Sequence, residues 1–232
     1  MTRRDIAADD TRDRLIEVVL AHVPFDGWGD KALMAAADEC GIDMDAARRA
    51  FPGGAASLIE YHSARADRAM EDGLEAEALT GGGGEGVGKR IAAAVRTRLE
   101  QENPHREAVR AAMSYFAMPS NAPLSLKCLY RTVDSMWFAI GDKTTDLNFY
   151  SKRALLAGVY GTTLLYWLDD DSENHEDCWA FLDRRLEDVT RARKLRGRLE
   201  QILPSPEIMA RLLRRRPGRG FEFGRGGRSE RN

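Results

Sequence analysis

Three stretches of the sequence bring together residue types that can do chemistry. Gly83-Gly84-Glu85-Gly86-Val87-Gly88-Lys89-Arg90 comes close to a phosphate-binding loop, G-x-x-x-x-G-K-[S/T]. That loop needs a hydroxyl after the lysine to hold magnesium, and Arg90 stands there instead. It should also follow a buried strand, whereas Glu71 to Glu77 is polar and helical in pattern, so a flexible linker is expected. Asp169-Asp170-Asp171-Ser172-Glu173 gathers enough carboxylates for calcium. An EF-hand loop counted from Asp169 requires glycine and glutamate where Asn174 and Ala180 occur, so a solvated helix connection with capping residues is expected. His175 and Cys178 share a helical face, but His22, His62 and His105 are dispersed along the chain and no second pair completes a metal set. The sequence also lacks a serine nucleophile elbow and the paired Glu-x-x-His of a di-iron bundle. No metal, no cofactor and no catalytic role are expected.

Chemistry at any site depends on the elements that hold it. At 232 residues, 43% of them hydrophobic, the chain can bury a sizeable core. A net charge of −2 argues against a general nucleic-acid binder, although arginines crowd the last stretch. Cys40, Cys128 and Cys178 form no disulfide framework, which suggests a reducing compartment. The opening MTRRDIAADDTRDRLIE has the character of neither a signal nor a transit peptide. The longest apolar run, Ala154 to Leu168, is shorter than the ~20 residues that span a bilayer. A cytoplasmic protein, peripherally associated with the inner face of a membrane, is expected.

Apolar residues recur every three or four positions and β-branched alternation is nearly absent, so the fold class is all-α. Helices are expected at 11–23, 29–39, 43–51, 55–79, 86–103, 104–115, 122–140, 146–168, 174–202 and 206–216. Cys40-Gly41 reads as a helix stop and Asp43 as the next N-cap. The run of helix, glycine turn, short helix and Phe51-Pro52-Gly53 resembles the helix-turn-helix end of the TetR family of regulators. In those proteins the second helix of the motif enters the major groove. Here that helix opens with Asp43 and Asp45, whose charges would face phosphates. A scaffold that no longer reads bases is expected, with no nucleic-acid partner.

In the C-terminal half, Leu126, Leu129, Val133, Trp137 and Ile140 fall on one helical face, with Asp134 and Met136 towards its edge. Asp146 is a good N-cap for a following helix that is apolar nearly all round and carries Gly158 and Gly161 in its interior. Those glycines lower helical propensity, so they either admit a close backbone approach or keep space for a ligand. Trp179, Leu182, Leu186 and Val189 form a narrow seam suited to a partner helix. The turn between the two apolar helices carries aromatic residues ringed by charge. It is either an interface hot spot or a capped turn whose aromatics point inward.

Asp134-x-Met136-Trp137, Gly141-Asp142 and Asp146-x-Asn148-Phe149-Tyr150-x-Lys152-Arg153 resemble the signature of the Coq-nine family of ubiquinone-biosynthesis accessory proteins. The likeness continues through Leu156-Ala157-x-Val159-Tyr160-x-Thr162-Thr163 and Trp179-x-Phe181-Leu182-Asp183-Arg184-Arg185 to Asp188-Val189. It implies a homodimer on a TetR-like scaffold. It also implies a non-catalytic protein that holds an isoprenoid lipid or quinone precursor between its C-terminal helices, at Trp137, Leu156, Val159, Tyr160, Thr163 and Leu164. A di-iron quinone hydroxylase would be the partner, docked on Asp134, Met136, Ile140, Asp146, Phe149, Tyr150 and Arg153. Two positions depart from the pattern: the family often has tryptophan at Phe149 and alanine at Ile140. The rival reading is a ligand-responsive transcriptional regulator.

Beyond Pro204-Ser205-Pro206, the residues Ile208, Met209, Leu212 and Leu213 form one stripe flanked by Arg211, Arg214, Arg215 and Arg216. Such a basic amphipathic helix suits an anionic membrane surface, with Ile208, Met209, Arg211, Leu212, Leu213 and Arg215 in contact. The expected organisation is a TetR-like region at 1–79, a glycine-rich linker at 80–88, a lipid-binding helical region at 89–203, and a basic helix with a disordered tail at 204–232.

Overall fold

A computed structural model of the protein describes residues 3–79, 86–141 and 148–202, and every regular element among them is helical. They divide into two units, 1–189 and 190–232, the second described as helix over 190–202. The helices are α1 (Arg3–Asp26), α2 (Asp30–Cys40), α3 (Met44–Ala50), α4 (Ala55–Leu79), α5 (Val87–Glu100), α6 (Arg106–Phe116), α7 (Ala122–Ala139), α8 (Asn148–Asp169) and α9 (Glu176–Ile202). The helix expected at 206–216, with Ile208, Met209, Arg211, Leu212, Leu213 and Arg215, lies outside the described residues. Gly86 N-caps α5 and Gly88 sits in its first turn, so the helix begins inside the stretch expected to be linker.

The caps follow from local sequence. Gly41 takes φ of 63°, which a side chain disfavours, and its N–H bonds back to Asp38 O while Ile42 N–H reaches Ala37 O. Asp43 Oδ2 accepts from Ala46 N at 3.1 Å and starts α3. These two devices set the angle between α2 and α3.

Two apolar clusters fill the first unit. One joins Leu15, Ile16, Val19 and Val23 of α1 to Leu33 and Ala36 of α2, Ala47 of α3, and Phe51 and Leu58. The other joins Met70, Ile91, Val95 and Leu99 to Val133 and Trp137 of α7, Leu156, Val159 and Trp167 of α8, and Trp179 and Leu182 of α9. Leu186 and Val189 pack on this second cluster, so the α9 seam faces the chain's own core. Helix α6 serves both clusters, with Ala108 in the first and Val109 and Met113 against the second. Trp28 Nε1 donates to Ala108 O at 2.9 Å and ties the helix-turn-helix region to α6.

The acidic stretch after α8 is a cap, though a less solvated one than expected. Asp170 is buried and accepts from Ser172 N and Cys178 N, each at 2.9 Å. Burial pushes its carboxyl up, and the hydrogen bonds from Ser172 and Cys178 pull it further down, so it stays ionised. Arg106 donates to Trp167 O and Asp170 O, and Arg110 to Leu168 O and Asp169. Two α6 arginines thereby satisfy the last carbonyls of α8.

Helix α7 corrects two sequence expectations. Leu126 leaves the expected buried stripe and is 65% exposed, four residues after the start of α7. Met136, expected near the stripe's edge, is 0% exposed: α7 packs on α4 and α5 as well as on α8, so two of its faces are covered.

Candidate functional site

A cavity of about 130 Å³ lies among α4, α5, α6, α7 and α8. Its apolar wall is made by Ile59, Leu99, Val109, Met113, Leu129 and Leu164. Phe116 and Ser125 belong to its more exposed side, where α6 ends and α7 begins. Gly161 also lines it, and a Cβ built on Gly161 or Gly158 meets nothing within 4 Å. The close backbone approach that these glycines could have signalled is absent, and Gly161 borders open space.

The opposite side is polar and buried. Arg98 of α5 sends Nε to Asp67 Oδ1 of α4 at 3.0 Å and Nη1 to Glu102 Oε1 at 3.2 Å. His62 Nε2 is 3.1 Å from Glu102 Oε2. From α7, Thr132 Oγ1 donates to Asp67 Oδ1 at 2.8 Å and Arg131 Nε to Asp67 Oδ2 at 3.0 Å. Three helices are thus joined through one carboxylate. Burying such charges is unfavourable unless each is paired, and Asp67 has three donors.

The electrostatics follow from that pairing. Burial pushes the Glu102 carboxyl up, but His62 and Arg98 outweigh it and bring the group to about 2. Burial opposes the Arg98 charge, yet the surrounding acidic groups raise its pKa further. Tyr160, wholly buried on the same wall, is pushed up to about 12 by burial and stays a neutral hydroxyl. The His105 ring lies 6.4 Å from that of His62, and burial lowers its pKa. The histidines dispersed in sequence are therefore partly gathered by the fold. Among the described residues no group of three or more His, Cys, Asp or Glu is arranged to hold a metal. Cys178 is buried against Thr163 O, and burial pushes its thiol up to about 12.

The residues assigned to lipid binding divide. Tyr160 and Leu164 line the cavity, whereas Trp137, Leu156, Val159 and Thr163 are buried among core neighbours outside its lining. The docking residues divide too. Met136 and Ile140 are buried at 0% and 6%. Asp134 and Arg153 pair with each other, Nε to Oδ1 at 2.7 Å, joining α7 to α8. Tyr150 is 75% exposed in the first turn of α8. Asp146 lies outside the described residues, and Phe149 is described as backbone alone.

Sequence reasoning missed the polar wall of His62, Arg98, Glu102 and Thr132, and the Asp67 carboxylate that holds Arg98 and Thr132 from behind it. A signal was present: His62 and Asp67 fall among Ile59, Ala66 and Met70 on the inner face of α4, and Arg98 sits beside Leu99 on that of α5. Polar residues at core positions are the ones that need partners.

Comparison with known proteins gives a family and a fold. The family model described as COQ9 matches residues 122–193. The ubiquinone biosynthesis protein COQ9, mitochondrial, of Rattus norvegicus is 34% identical over 179 residues, 76% of this chain and 57% of that protein. The Homo sapiens protein of the same name is 32% identical over 179 residues, 76% and 56% respectively. COQ9-B of Xenopus laevis is 32% identical over 203 residues, 85% of this chain and 68% of the relative. The chain thus spans little more than half the length of the rat and human proteins. Among solved structures, a TetR transcriptional regulator from Nitrosomonas europaea ATCC 19718 superposes with a TM-score of 0.62 at 21% identity, covering 78% of this chain and 99% of that one. At that identity the likeness establishes an all-α, TetR-like fold and nothing about DNA.

Proposed function

The chain belongs to the COQ9 family, and from that premise we propose that it is a non-catalytic accessory of ubiquinone biosynthesis. It holds a polyprenyl quinone precursor and presents it to a di-iron hydroxylase at a membrane surface. The observation that carries this reading is the cavity among α4 to α8, with an apolar wall and a hydrogen-bonding one. Its ~130 Å³ is close to the engineered void of about 150 Å³ that binds benzene, so it admits one ring or a short length of isoprenoid chain. Apolar surface kept from water contributes about 25 cal/mol per Å², which offsets the loss of bilayer contacts when such a molecule is withdrawn.

Tyr150 and the Asp134–Arg153 pair offer the partner an aromatic anchor beside fixed charges, the composition of an interface hot spot. Met136 and Ile140 act from beneath, by packing α7 against the core. A homodimer is supported by the exposed stripe of Leu155, Gly158, Thr162 and Leu165 along α8, which nothing in the described chain covers. The basic stretch 206–216 supplies a membrane contact in this reading.

Solvent extraction of the purified, folded chain followed by mass spectrometry tests the proposal. Isoprenoid lipid in amounts comparable to protein is the expected result. A folded protein that yields no lipid, and acquires none from quinone-loaded vesicles, would overturn it.

A further inference from the structure

We infer that the chain meets a bilayer through the turn between α6 and α7, with the cavity mouth turned towards the lipid. This rests on reading the cavity as a lipid site. The first observation is one of charge. The chain carries 37 acidic residues, about one in six, yet from Ala108 to Val133 there is no aspartate or glutamate. Of the carboxylates near this stretch, Glu60 pairs with Lys127 at 2.5 Å, and Arg110 lies 3.0 Å from Asp169 and 3.5 Å from Glu107. Within residues 108–133 no carboxylate repels an anionic surface.

The second observation is apolar exposure. Met118 is 58% exposed just before the short 3-10 turn Pro119–Asn121, and Leu126 is 65% exposed near the start of α7. Ala117 before Met118, and Pro119, Ala122 and Pro123 after it, are exposed as well. Aliphatic and proline residues, with Tyr130 49% exposed one turn beyond Leu126 and no carboxylate among them, suit insertion among lipid headgroups.

The third observation places the cavity beside this turn. Phe116, Ser125, Leu129 and Leu164 on its lining are half-exposed, while His62, Arg98, Glu102, Thr132 and Tyr160 are buried. The mouth therefore opens between the end of α6, the start of α7 and the middle of α8, with the charged network as its floor. An apolar molecule leaving a bilayer at this turn enters the cavity without crossing water. That removes the step in which its whole apolar surface would be hydrated.

The test uses the full chain and vesicles of phosphatidylcholine with phosphatidylglycerol. A Met118→Asp, Leu126→Asp double variant should lose about tenfold in vesicle flotation, because two carboxylates are forced against an anionic interface. Met34→Asp, at a comparably exposed site on α2, should float like the wild type. Both positions of the double variant are exposed, so an unchanged thermal transition is expected and checks the fold. Flotation equal to wild type overturns the inference, including the case where the double variant instead turns a dimer into a monomer. Equal loss in Met34→Asp overturns it as well. Lipid extraction separates the two readings: an empty wild type with turn-dependent flotation defeats the carrier, and a loaded wild type with turn-independent flotation defeats this surface.

Discussion

Gly161 offers a way to separate stability from ligand occupancy, since it lines the cavity in the middle of α8 with room around its missing Cβ. Gly161→Ala restores helical propensity worth about 1 kcal/mol and fills almost none of the space. For a chain of this size that raises the melting temperature by about 2–4 °C. Gly161→Leu keeps that gain and sends three more carbons into the cavity. Each buried methylene contributes about 0.8 kcal/mol, and Gly161 is only half-buried, so a further gain of about 1 kcal/mol is expected. Filling the whole ~130 Å³ sets a ceiling of about 3 kcal/mol at ~24 cal/mol per Å³. The assays are thermal unfolding of delipidated protein and mass-spectrometric lipid content per chain. The alanine variant should be stabilised with its lipid intact, and the leucine variant stabilised further with its lipid reduced about tenfold. A leucine variant that retains full lipid would show that the ligand sits elsewhere. A destabilised alanine variant would show that something does approach this glycine.

Glu102→Gln should flatten the acid limb of stability. The Glu102 carboxyl is depressed in the folded chain, so its contribution is complete above 4.5 and disappears as pH falls through about 2. The displacement corresponds to roughly 3 kcal/mol, and urea titrations across that window should show a shallower slope in the variant. An identical slope would mean that Glu102 is not held by His62 and Arg98. Arg98→Met leaves Glu102 and Asp67 buried with fewer partners and should destabilise the chain by about 3 kcal/mol, read as a lower denaturation midpoint. A loss below the error of the titration would mean that the network is relieved by water. If a di-iron quinone hydroxylase docks as proposed, Tyr150→Ala should weaken its capture while leaving the thermal transition unchanged, as pull-down and calorimetry would show. Undiminished capture would move the docking surface away from the start of α8.

The helices were legible because each is written locally. The three-and-four spacing of Leu15, Val19 and Val23, the glycine after Cys40 and the capping Asp43 depend on neighbours a turn away. The sequence arguments against a phosphate loop and an EF-hand rested on single residues, Arg90, Asn174 and Ala180. Burial on a second face was not legible. A helical pattern shows one stripe clearly, and α7, held between α4, α5 and α8, has more than one covered face, which is why Met136 is interior and Leu126 is not.

The cavity and its charged floor were decided by tertiary structure alone. Asp67 meets Arg98 and Thr132 across 31 and 65 residues, and no spacing rule connects positions so far apart. Sequence by itself settled which faces are apolar and where helices start and stop, since those are properties of single turns of backbone. Whether five such faces seal against one another or leave a space depends on the summed shapes of side chains from all of them. In this chain α4 to α8 leave one, next to the residue that has no side chain to close it.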